Sequence, residues 1–164
     1  MKRGSVADLM LVVFVCFIVA ISGVIGLYVM GQFNQTLANT TSGTIVTAPA
    51  LNVTTKVASA FAVFDTSFPL MFIGMNLAIM FLSYLVRTHP IFLIFAVLLL
   101  AVVILTGATM SNAYQTFAES PQLASTASQF PLTAFIMQNL VMLQIIFGFI
   151  DIIILYSSIG GENQ

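Results

Sequence analysis

Residues 131–156 read PLTAFIMQNLVMLQIIFGFIDIIILY, and the fold of the whole chain turns on that stretch. It exceeds the ~20 apolar residues with which an α-helix crosses a hydrocarbon layer of ~30 Å. It opens on Pro131 and holds a single acid, Asp151, among Phe, Ile and Leu. A carboxylate at the centre of a membrane-spanning helix costs ~2.5–3.5 kcal/mol on insertion scales, so Asp151 requires a partner, a cavity or a proton. On a helix Gln144, Gly148 and Asp151 share one face, at i, i+4 and i+7, and such a polar stripe faces a bundle interior. The helical rise puts Asp151 roughly 9 Å from the end of the span, with Arg87 as its expected partner. Paired with Arg87, the stripe is a buried tie that fixes helix register. Without a cation it is a protonatable or cation-binding site, and a contact with a neighbouring subunit is the third reading.

The composition demands the same setting. The 164 residues are 60% hydrophobic and 5% charged, with a mean hydropathy of +1.11, whereas soluble domains carry about 25% charged residues. Such a chain cannot cover itself with a water-facing surface, so it is expected to be an integral membrane protein whose first partner is the lipid bilayer. Four Lys/Arg and a net charge of −1 make no basic patch for nucleic acid. One His and one Cys cannot by themselves supply a zinc, haem or iron–sulfur site, and Cys16 has no second cysteine to bridge to. No nucleophile elbow, phosphate loop or pair of carboxylates at one depth occurs. The expectation is therefore no enzyme, no cofactor and no metal.

Outward from this stretch, the chain divides into an all-α membrane domain covering 1–164, with four spans at about 9–30, 69–86, 91–108 and 132–156. They are expected as two antiparallel hairpins joined by outer loops at 31–68 and 109–131. Ser5 and Asp8 resemble a capping box ahead of the first span. A signal-peptide reading of that span is opposed by an apolar run continuing well past Ser22. Ser22 and Gly26 form a small-xxx-small pair suited to close helix packing. Residues 31–56 are rich in Thr, Asn and Gly and carry Asn-x-Thr sequons at Asn34, Asn39 and Asn52. Val57, Phe61, Phe64 and Phe68 fall at helical spacing, which predicts a short amphipathic helix on the membrane surface; a helical extension of the next span is the alternative. Pro69 then stands as the first residue of span 2. Span 3 has no ionisable group and is assigned the most lipid-exposed place, with its helix continuing through Tyr114 and Phe117.

Two spans open alike, with Phe68-Pro69-Leu70 ahead of Asn76 and Phe130-Pro131-Leu132 ahead of Asn139. This suggests a duplicated hairpin and places Asn76 and Asn139 at one depth for an interhelical hydrogen bond worth ~0.6 kcal/mol. Lys2, Arg3 and Arg87 fall on one side of four spans and Lys56 on the other, so both termini are expected inside. In overall style the chain resembles small membrane proteins of tailless viruses that carry a lipid bilayer beneath an icosahedral capsid: short, Phe-rich, nearly uncharged, with Thr/Asn-rich outer loops. That resemblance implies a non-enzymatic structural or assembly role, linking bilayer to capsid alongside copies of itself or other proteins of a larger assembly. A small oligomeric ion channel or proton-coupled transporter using Asp151 is the alternative from another class.

Overall fold

The computed structural model describes residues 6–40, 47–85 and 91–160. It contains α1 (Val6–Thr40), α2 (Thr47–Leu85), α3 (Ile91–Ala118), a single turn α4 (Ala124–Ala127), α5 (Pro131–Gln138) and α6 (Leu140–Gly160), with no strand among the described residues. Four helical stretches are long and apolar enough to cross a membrane: Met10–Leu37, Ser59–Leu85, Leu93–Ala118 and Leu140–Ser157. The chain is a multi-pass, all-α membrane protein. Large side chains such as Leu11, Ile18, Phe81, Leu98, Leu105 and Phe149 point outward, where lipid is the matching solvent. The span in α3 is the least enclosed, with 22% of its most apolar stretch buried against 39% in α1. Thr106, Thr109 and Thr116 of α3 donate to carbonyls one turn earlier at 2.7–2.9 Å, so their hydroxyls enter an apolar setting already satisfied.

Lipid tails are as apolar as leucine, so these helices associate through close packing rather than through escape from water. Glycine provides it at four places. In α1, a Cβ on Gly23 would stand 2.5 Å from the Phe64 ring, and one on Gly26 would stand 2.8 Å from Phe61. As α1 advances from 23 to 26 its partner recedes from 64 to 61, so α1 and α2 run antiparallel. In α6, Gly148 takes the Leu100 side chain of α3, and Gly107 of α3 faces Val141; these two helices are antiparallel as well. Phe64 is shared more widely, edge-on to Phe130 at 6.1 Å and tilted against Phe68 at 6.3 Å. Around the bundle α1 also packs on α3, and α2 on α5 and α6, whereas the consecutive helices α2 and α3 share no substantial contact among the described residues. The four-residue turn at 87–90, read as a tight link between neighbours, lies outside the described residues.

Several expectations change. The 57–68 segment is no separate surface helix; it belongs to the single 39-residue α2. Pro69 lies inside α2 rather than at its start. It cannot donate to the Asp65 carbonyl four residues earlier, an interruption that membrane helices accept when neighbouring groups compensate. The loop expected from residue 31 is helical through Thr40 and again from Thr47. The fourth span is two helices, because Asn139 leaves helical geometry (φ −101°, ψ 14°) while its Nδ2 donates to the Phe135 carbonyl at 2.8 Å.

Lengths then define two ends of the molecule. At 1.5 Å per residue α1 is about 52 Å long and α2 about 58 Å, against ~30 Å of hydrocarbon. Their surplus lies at the end where α1 leads to α2, here called the distal end. There residues 125–129 lie along α1, enclosing a cleft of about 300 Å³ with Asn34 and Gln35. Beneath it Val24, Ala127 and Phe130 make a second small core. The basal end holds the start of α1 and the end of α2.

Candidate functional site

Six of the eight buried polar or charged residues described lie on one seam, between α2 and the fourth span. At its distal end is Asp65, only 7% exposed. Its Oδ1 accepts the Thr133 N–H at 2.7 Å and its Oδ2 accepts the Leu132 N–H at 3.1 Å. The local chemistry of α5 explains why. A helix leaves its first N–H groups without intrahelical acceptors; Pro131 at the first position has none to leave, but the next two do. The residue before the helix is Phe130, whose side chain makes no cap. An acid 68 residues away therefore performs the task normally given to a preceding Ser or Asp, and its charge also suits the positive end of the helix. Tyr114 of α3 lies within electrostatic range of Asp65. The Tyr114 hydroxyl and the Thr133 Oγ1 are buried with no hydrogen bond.

Eighteen positions along α2, Ser83 meets Asp151 of α6. This pair too is separated by 68 in sequence, so α2 and the fourth span run parallel and in one register despite the break at Asn139. In that register Asn76 stands level with Gln144. Two layers result, Asn76/Gln144 and Ser83/Asp151, spaced seven residues or about 10 Å apart along the axis. All four side chains are 0% exposed. Asn76 donates Nδ2 to the Phe72 carbonyl of its own helix at 2.8 Å, but its Oδ1 has no partner; neither do both polar atoms of Gln144, both carboxylate oxygens of Asp151 and the Ser83 Oγ. Ser83 is near enough to act on the Asp151 carboxyl, yet no pair of their atoms meets hydrogen-bond geometry. Phe72 and Phe147 meet edge-on at 6.0 Å on this seam; in the same register Phe72 stands level with Leu140 and Phe147 level with Ile79, between the two layers.

The structure thus brings Gln144, Gly148 and Asp151 onto one interior face, with Gly148 against Leu100. Arg87, the expected partner, lies outside the described residues. Gly26 packs on Phe61, while Ser22 is exposed and Gly23 takes its place in the contact. Asn76 and Asn139 do not bond to each other. Each donates to its own helix, and the register sets Asn139 level with Met71, five residues from Asn76. The Phe-Pro-Leu segments are 62 residues apart and the register is 68, so one opens a helix and the other lies inside one. At the break, the Ser111 hydroxyl of α3 reaches the Gln138 carbonyl at 3.5 Å, the outer limit of such a bond. Ser83 was not anticipated, and Asp65, expected from sequence to be a solvated carboxylate at the membrane interface, is instead buried and capping; the signal for it was an uncapped helix start inside an apolar segment.

Among the described residues no three His, Cys, Asp or Glu side chains come together as a metal site, and Cys16 is a buried free thiol. No protein-family model, no curated protein and no solved structure matches this chain.

Proposed function

We propose that this is a non-enzymatic structural or assembly protein of a membrane, fastening the bilayer to a protein layer such as a capsid, with both termini on the inner side and the distal end outside. The observation that carries the reading is the length of α1 and α2. Relative to the level at which α5 begins, α2 extends a further 16 residues, or about 24 Å, and α1 accompanies it. This projection is almost uncharged, with Lys56 as its one described ionic group. It exposes Gln32, Gln35, Asn39 and Asn52 together with Phe33 and Val53. A mixed amide and apolar surface on a rigid helical pair is suited to docking protein, and a solvated tether would need neither the apolar residues nor the helices.

The test replaces residues 36–51 with a short Gly/Ser turn. Gln35 and Asn52 stand level in the α1–α2 pairing, so the shortened helices close without shifting the spans. The full chain is expected to co-isolate in fixed ratio with a defined protein layer, and the shortened chain to insert normally but separate from it. A full chain that is solitary in its native membrane would sink the proposal. A second reading, a small ion channel or proton-coupled transporter, draws support from the unpartnered oxygens at Asp151 and Gln144. Flux through liposomes that disappears in Asp151→Asn would favour it over assembly.

A further inference from the structure

We infer that the Ser83/Asp151 layer is a binding site for one monovalent metal cation, sodium being the probe of choice, and that the bound cation ties α2 to α6. Three oxygens converge there from two helices: Oδ1 and Oδ2 of Asp151 and Oγ of Ser83. All belong to side chains with no exposure, and none has a hydrogen-bond partner. Buried charges in proteins are paired or coordinate metals. The donor set is oxygen only, which suits a hard cation. Its one carboxylate carries a single negative charge, which matches a charge of +1 rather than +2. A small cation can engage all three oxygens at once.

No described basic side chain competes for the place. Lys56 is the only described one, and it stands 27 positions from Ser83 along α2, about 40 Å away. Entry is short: Ser83 lies two residues before the end of α2 at Leu85, about 3 Å along the axis, and α1 begins at nearly the same level.

The site is independent of the assembly proposal, because its readout is cation occupancy rather than co-isolation or flux. The full chain in detergent is melted by far-UV circular dichroism in NaCl and in choline chloride of equal ionic strength. The midpoint is expected to rise with sodium, since a ligand bound only by the folded state stabilises it by mass action. Ser83→Ala, which keeps the carboxylate, is expected to raise the half-saturating sodium concentration several-fold, and Asp151→Asn to abolish the response. A wild-type midpoint indifferent to sodium overturns the inference, and so does a sodium response retained in Asp151→Asn. If sodium dependence arises only in Arg87→Gln, the arginine is the native counter-charge and the inference also fails.

Discussion

Asp65 and Asp151 invite direct comparison. Both are buried carboxylates on the same α2–span 4 seam, one near each end, at positions related by a single register. Asp65 is on α2 and receives two N–H groups from the start of α5, whereas Asp151 is on α6, beside the Ser83 hydroxyl, and its oxygens meet no hydrogen-bond geometry among the described residues. The difference lies in what the opposing backbone offers. Opposite Asp65 the fourth span begins, so its first N–H groups are free; opposite Asp151 α2 is in its last turn, where the N–H groups are already used by the helix. A buried acid at a helix start is therefore a structural device. One set against the last turn of a helix meets no free N–H group.

Substitutions can break this contrast. The largest effect is expected from Asp65→Ala, which strands the Leu132 and Thr133 N–H groups and removes two charge-assisted bonds, at a cost of about 3 kcal/mol. Denaturation by SDS from mixed micelles measures it, and a loss below ~1 kcal/mol would show that α5 finds another cap. Gly148→Ala should follow at about 1–3 kcal/mol, because the new methyl meets Leu100 and forces α3 away from α6; Leu100→Ala in the same chain should restore part of the loss. Asp151→Asn should act in the opposite sense to Asp65→Ala in sodium-free buffer, leaving stability unchanged or raised, since it removes a buried charge and keeps the shape. If both variants destabilise equally, Asp151 has a strong partner and the contrast collapses. Ser111→Ala should be smallest, about 0.5 kcal/mol, as its bond to Gln138 is already long.

Much of this arrangement was legible in residues, and some was not. Four spans followed from long apolar runs that lipid alone can solvate, and the placing of Gln144, Gly148 and Asp151 on one inward face followed from helical periodicity. The projection was missed because Thr and Asn favour turns when considered locally, whereas in the structure α1 and α2 support each other through Gly23, Gly26, Phe61 and Phe64. Pro69 was misplaced for a related reason. Proline at a helix start and proline inside a membrane helix look alike in sequence, and only packing around Asp65 distinguishes them. The matched Phe-Pro-Leu segments suggested a register of 62, but sequence likeness carries no information about axial position.

The sequence by itself determined that this chain lives in a bilayer, how many times it can cross, and that its last span turns a polar stripe inward. Composition and period suffice for that, because they govern how each helix meets its solvent. Tertiary structure alone decided which side chains face the stripe. The sliding of α2 against the fourth span is set by one carboxylate capping a distant helix and by the Phe72–Phe147 contact. These contacts join residues tens of positions apart, so no local pattern encodes them. It is this register that gives Asp65 its two N–H groups and leaves Asp151 opposite Ser83.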